Sequence, residues 1–454
     1  MGTWIQKYAK NNSALSLWLY GALFFYLLET ALPDVWILSP AQICLLGAGW
    51  QCWKNREPLW SRRPFREKEY RAIFRWMAVY ILLWGVSFFY TRQGADFFHP
   101  WVTVIQMAGL LFLCGYQAQN DGTFSKRIFW APLFASVTAV FLAVLLYIAK
   151  QTSYQLRISP IQDYNQYAMV LLFGEIVLWA RSPFARKAGK GVWMEGLTAS
   201  LLLTGIWLSG SRRGMILAAV VFLWHVAWDG YHCFRLAKSR VRRRWIRRLF
   251  LENLLIFAAV FCFVLALTAA MPRERGEVLS ENGQRENTLL GTAETIQTGE
   301  AMGKRREIWW AAFHAYLDFS PVEKWWGRGN SYPYDLYEQA WGDRVRKSYG
   351  TLELPYGALN PHNFLLTELL SGGILRLTAA IGWWLCLLLH SWRRKGGRSF
   401  RILLWLVTLG TLFLSAPVGF TGSRLFWTAW LLTDMDVRRE KMAEKVDTGG
   451  PSMV

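Results

Sequence analysis

The chain has 454 residues, of which 53% are hydrophobic and 18% charged, and it carries 27 Trp, 28 Phe and 18 Tyr. So few charges, against about 25% in ordinary soluble domains, and apolar runs long enough to cross a bilayer exclude disordered, collagen-like and disulfide-stapled chains. The net charge of +20 leaves two readings, a nucleic-acid binder or a membrane protein whose Lys and Arg gather in cytoplasmic loops, and the placement of the basic residues decides between them.

In chain order the apolar runs predict spans near 14–32, 35–53, 72–91, 100–119, 128–149, 164–180, 193–210, 214–229 and 253–271, and then near 361–389, 402–414 and 417–433. Twelve crossings put the two termini on one side. The first residues carry no small-residue cleavage site, so the first span is expected to serve as an uncleaved signal. With the N-terminus inside, the inner loops hold 32 Lys and Arg and the short outer loops six, Arg424 at the outer end of the last span counted with them. That contrast sets the orientation, termini in the cytoplasm, and accounts for the charge without nucleic acid. The run Arg240, Arg242, Arg243, Arg244, Arg247 and Arg248 reads as a topogenic anchor on anionic lipid.

The predicted organisation is residues 1–271 as spans one to nine, 272–360 as a periplasmic loop domain, 361–433 as spans ten to twelve, and 434–454 as a cytoplasmic tail. The 89-residue loop is nearly neutral, with 11 basic and 13 acidic residues. Within it, 304–319 predicts an amphipathic helix with Ile308, Trp309, Ala312, Phe313 and Tyr316 on one stripe. Trp325, Trp326, Tyr332, Tyr334, Tyr337 and Trp341 follow, placed to stack on sugars or to form an interfacial aromatic belt. The six cysteines lie outside this loop, so no disulfide is expected there.

Three clusters can carry chemistry. Ser209-Gly210-Ser211-Arg212-Arg213-Gly214 falls between the seventh and eighth spans, on the outer side, where arginines run against the charge rule. A helix begins there, and arginine forks match phosphate oxygens in pairs, which describes a diphosphate cradle. Arginines snorkelling to lipid headgroups are the plainer account. Asn360-Pro361-His362-Asn363 is a turn at the start of the tenth span, where a neutral imidazole can accept a proton; a capping histidine packed on aromatics is the plainer account. Lys304-Arg305-Arg306, followed by Trp309 four residues after Arg305, opens the loop helix, and cations at a helix N-terminus oppose the dipole. Glu29, Glu175, Glu368 and Arg376 fall inside spans, where ion pairing is the default expectation.

LSGSRRG before a span, RREIWW in the loop helix and NPHNFLLTELLSGGI at the tenth span resemble the O-antigen ligase and O-antigen polymerase superfamily, and the ligase branch most closely. The ligase pattern of His, a small polar residue, nine residues and Gly falls on His362, Asn363 and Gly373; a small residue is usual three places later, where this chain has Arg376. The resemblance implies an all-α, GT-C-like polytopic glycosyltransferase of a Gram-negative inner membrane, its active site facing the periplasm. It implies catalytic roles for His362, Arg212 and Arg305, and substrate binding by Arg213, Ser211, Arg306, Asn363 and Trp309. The donor would be a glycan on undecaprenyl diphosphate, the acceptor a sugar hydroxyl of lipid A–core, and the anomeric carbon would invert. Membrane lipid is the other partner. No nucleic acid, metal or other cofactor is expected, the arginines neutralising the leaving group. The rival readings are an O-antigen polymerase, a protein O-glycosyltransferase and a twelve-span transporter, the last disfavoured because the longest loop does not divide the chain into two six-span halves.

Overall fold

The computed structural model describes residues 2–32, 39–54, 65, 68–92, 94–149, 158–161, 164–181, 190–231, 255, 258, 262, 300–349, 360–393, 397–415 and 423–447. Among them there is helix and no strand. A bilayer demands this of a chain that does not close a barrel, because every backbone N–H and C=O must find its partner within the segment.

The described residues form fifteen α-helices. The first nine are α1 (Gly2–Ala31), α2 (Pro40–Lys54), α3 (Lys68–Val86), α4 (Gly94–Asn120), α5 (Phe124–Arg127), α6 (Trp130–Ile148), α7 (Tyr164–Arg181), α8 (Lys190–Leu208) and α9 (Arg212–Tyr231). The loop domain supplies α10 (Glu300–Leu317), α11 (Pro321–Trp326) and α12 (Tyr332–Tyr349), and the chain closes with α13 (Phe364–Arg393), α14 (Arg398–Ser415) and α15 (Arg424–Asp447). Among the described residues, five stretches are long and apolar enough to cross a membrane: Ala14–Ala31, Tyr70–Tyr90, Pro100–Asn120, Phe124–Ile148 and Phe364–Arg393. Of the run at 253–271 the described residues are 255, 258 and 262, each helical. Every other apolar run named above overlaps a helix in its described residues.

Two helices form the middle of the bundle. Residues 167–178 of α7 are buried without interruption, as are 425–438 of α15. A helix apolar all round belongs inside a core, and α7 accordingly packs on α1, α6, α8, α9 and α14. On α15 the burial continues past residue 433 into what reads from hydropathy as a tail. Asp434, Asp436 and Arg438 are buried there because each has a partner: Arg401 Nη1 lies 2.7 Å from Asp436 Oδ2, Arg438 Nε 2.7 Å from Asp434 Oδ2, and the Tyr70 hydroxyl donates to Asp434. Buried charges persist only when paired and hydrogen-bonded in this way.

The interior acids also find partners. Glu29 accepts from Ser39 Oγ and Ala41 N and faces Arg424 at 3.8 Å. Glu175 accepts from the Trp179 indole on its own helix. Glu368 pairs with Arg376 at 2.7 Å although both stand on α13. In an unbroken helix eight residues rise about 12 Å, too far for that contact. The helix is interrupted at Gly373, with φ 64° and ψ −166°, and the Arg376 side chain folds back across Gly372 to reach Glu368.

Candidate functional site

The first cluster forms a tight turn between α8 and α9. Gly210 takes φ 67°, a conformation that costs glycine nothing. Ser209 Oγ donates to Ile206 O at 2.6 Å and accepts from Ser211 N at 3.2 Å. Ser211 is the N-cap of α9: its hydroxyl accepts from Gly214 N at 3.0 Å and donates to Asn165 Oδ1 at 2.8 Å. The serine proposed to bind substrate therefore has its donor and one lone pair committed to the protein. Gly214 lets α9 press on α7, since a Cβ there would stand 2.8 Å from Ala168 Cβ. Arg212 and Arg213 fill the first two positions of α9; Arg212 is half-buried and Arg213 buried. Their guanidiniums thus stem from the positive end of a helix dipole, where an anion is favoured.

The second cluster opens α13. Asn360 Oδ1 accepts from His362 N at 2.8 Å, an Asx turn. Asn363 Oδ1 accepts from Leu365 N at 3.0 Å and Leu366 N at 3.4 Å, so Asn363 caps α13. Between them His362 sits at φ 49°, the one non-glycine residue at positive φ among those described. Such a conformation costs about 1–3 kcal/mol and recurs at working sites.

The loop helix meets this turn. Trp309 Nε1 donates to Pro361 O at 3.1 Å, the residue just before His362. Behind it, Tyr337 OH on α12 donates to Ile308 O at 2.5 Å, and burial pushes that phenol's pKa up. Arg305 stands one turn ahead of Trp309 on α10; its side chain lies outside the described residues. Arg306 is exposed. So the structure joins the second and third clusters, while the hydroxyl bonds of the Ser209–Ser211 turn run to α7, α8 and α9.

A clamp on the loop completes the geometry. Arg328 N and Gly329 N donate to Leu370 O and Ser371 O at 3.0 and 2.9 Å. A Cβ on Gly373 would fall 2.3 Å from Trp325 O, and one on Gly327 2.4 Å from Gly372 N. Only glycines allow backbone to lie on backbone this closely. Arg376 Nη1 then reaches Asn330 Oδ1 at 2.7 Å while Glu368 Oε1 accepts from Tyr80 OH at 2.9 Å. The Arg376 that departs from the ligase pattern is thus the bolt between loop, broken helix and α3. Asn330 and Tyr80 carry no sequence signal of this role; the Gly372–Gly373 pair was the available hint.

His99 lies within α4. His314, on the loop helix, is exposed and packs 4.3 Å from the Trp310 ring. The Phe313 of the same stripe is exposed as well, while Ala312 and Tyr316 are buried. No family model matches the chain, and no curated protein matches it.

Proposed function

We propose that this protein is a twelve-span membrane glycosyltransferase of the O-antigen ligase type, working on the periplasmic face. The observation that carries the reading is His362, kept at a backbone conformation that suits glycine or asparagine and tied through Pro361 to the helix bearing Arg305, Arg306 and Trp309.

In this reading His362 takes the proton from a lipid A–core sugar hydroxyl. The freed oxygen attacks the anomeric carbon of the donor glycan, the bond to the diphosphate breaks, and undecaprenyl diphosphate leaves with the electron pair. Arg212 and Arg305 meet the charge that builds on it, with Arg213 and Arg306 behind them. Charge-assisted bonds to phosphate are shorter and roughly twice as strong as neutral ones, and donors aimed at developing charge lower the barrier most. Ser211 and Asn363 serve by capping the helices that present Arg212 and His362, and Trp309 by holding the loop helix on the turn. Orientation follows from the 32-to-6 distribution of basic residues.

Glycans from a strain lacking the gene test the proposal. Long chains stranded on the lipid carrier, restored to lipid A–core by the wild-type gene and not by His362→Ala, are expected. Lipid A–core capped with a single repeat would mean an O-antigen polymerase. Normal glycans with unglycosylated exported protein would mean a protein O-glycosyltransferase, and normal glycans with lost uptake or export a transporter.

A further inference from the structure

The loop domain carries an apolar surface that its own fold leaves uncovered. Helix α10 has two apolar faces. One, with Ile308, Ala312, Ala315 and Tyr316, packs with Phe319, Tyr337 and Leu370 into a small core. The other presents Arg306, Trp310, Phe313 and Leu317, which fall within about 60° of arc on a helix of 3.6 residues per turn. All four are exposed, Trp310 at 64%. Helix α11 continues the surface with Val322, 69% exposed, and Trp325 and Trp326.

Its position says what covers it. Trp326 O accepts from Tyr90 OH at 2.8 Å, and Asn330 N donates to Thr91 Oγ1 at 3.2 Å, so α11 and its following turn are bolted to the end of the apolar Tyr70–Tyr90 stretch. That stretch presents an exposed stripe of its own, Val79, Leu82, Val86 and Phe89, at helical spacing. On the other flank, the Trp325 carbonyl lies against Gly373, and the exposed stripe of α13 starts at the next residue, Ile374, and runs through Ile381, Leu385 and Leu389. The exposed stripes of two membrane-spanning candidates therefore meet beside Trp325 and Trp326 on α11, whose Lys324 O accepts from the Tyr316 hydroxyl of α10 at 3.2 Å.

We propose that α10 and α11 lie on the outer surface of the bilayer, with Trp310, Phe313, Leu317, Val322 and Trp325 set into the boundary between headgroups and acyl chains and Arg306 among the headgroup phosphates. Trp, Phe and Leu opposite a protein-bound face, with a basic residue at the edge, is the composition of an interfacial helix, and Trp belongs at that depth. The seat has a consequence for the site. Trp309 is the neighbour of Trp310 and donates to Pro361 O, so the depth of α10 sets the height of the His362 turn above the hydrocarbon. The proposal holds for any reaction performed at that turn.

Spin-label accessibility in the full-length protein tests it. The six native cysteines are replaced, and a single nitroxide is placed at Phe313→Cys, Leu317→Cys or Asp318→Cys in nanodiscs of phosphatidylethanolamine and phosphatidylglycerol. Leu82→Cys, on the α3 stripe, supplies the lipid reference. Labels at 313 and 317 should favour collisions with dissolved oxygen over a water-soluble nickel chelate, as at 82 and several-fold more than at 318. A second change, Phe313→Asp, should lower the preference read at 317. Equal nickel access at 313, 317 and 318 would overturn the proposal by showing an aqueous face. Shielding of 313 and 317 from both reagents would overturn it by showing a protein cover, whether a second copy or another part of the chain. No change at 317 in the Phe313→Asp background would show that the stripe is not what holds the helix down.

Discussion

The turns that open α9 and α13 are built alike and contrast most at the residue of positive φ. Each places a short polar side chain at the N-cap, Ser211 in one and Asn363 in the other, and each helix then begins under a capped N–H. Each also needs a residue at positive φ. In the first turn that residue is Gly210; in the second it is His362. Glycine at such a position is what backbone sterics select. A histidine there costs stability, and under the proposed function the imidazole is what that cost serves. Under the proposed function the contrast separates a turn whose chemistry is carried by the residues after it from a turn whose strained residue is itself the reagent.

The largest expected effect lies at that residue. His362→Ala should lower transfer about 10²- to 10⁴-fold, the usual contribution of a general base, with binding of the undecaprenyl-diphosphate donor retained. Titration of purified protein with the donor lipid, beside a turnover assay, checks this. A fall in binding as steep as the fall in rate would move His362 from base to diphosphate ligand and dissolve the contrast. Next in size is the first turn. Arg212→Ala should cost roughly 1.5–3 kcal/mol of phosphate interaction, about ten- to a hundred-fold in transfer, and Arg212→Lys should rescue poorly because an ammonium lacks the guanidinium fork. Full activity of Arg212→Lys would show that paired geometry is not used there.

The all-helical character was legible in the sequence because apolar runs mark it, five stretches among the described residues being long and apolar enough to cross a membrane, and the 304–319 reading lies within four residues of the observed Glu300–Leu317. The faces of that helix were not. Both are apolar, so periodicity put Phe313 on the same stripe as Ala312 and Tyr316. The observed core takes Ala312 and Tyr316 and leaves Phe313 out. The Glu368–Arg376 pair was hidden for another reason: eight residues of intact helix forbid it, and only the break at Gly373 brings the two groups together. Of the candidate site, the three clusters could be named from composition and spacing. That Ser211 and Asn363 are caps could not, since a hydroxyl or amide before a helix reads equally as cap or ligand.

Smaller effects sharpen the comparison. Ser211→Ala and Asn363→Ala should each lower stability by about 1 kcal/mol through the lost cap, read as a drop in the unfolding midpoint in detergent. Transfer by folded Ser211→Ala should stay within a few-fold of wild type; a loss as large as that of Arg212→Ala would make Ser211 a ligand. The smallest effect is at α11, a helix start with an ordinary capping box between Ser320 and Glu323. The Arg328 guanidinium and then the Ser320 amide hold the Glu323 carboxyl down to about 2. A depressed carboxylate stabilises the fold above its ordinary value of about 4.3, and that contribution is lost as pH falls from there through 2. The pair is a third exposed, so screening limits it to a few tenths of a kcal/mol. The midpoint difference between wild type and Glu323→Gln should therefore be small at pH 7 and vanish near pH 2.

His362→Gly tests the central claim most directly, because it removes the imidazole and relieves the backbone together. Unfolding and glycan transfer are measured on the same reconstituted preparation. The account predicts a midpoint equal to or above wild type, the relieved strain of about 1 kcal/mol or more offset in part by the looser unfolded chain, together with transfer lowered at least a hundred-fold. Transfer near the wild-type rate in a protein of equal or greater stability would contradict it, and would return His362 to the standing of Gly210, a residue placed to shape a turn.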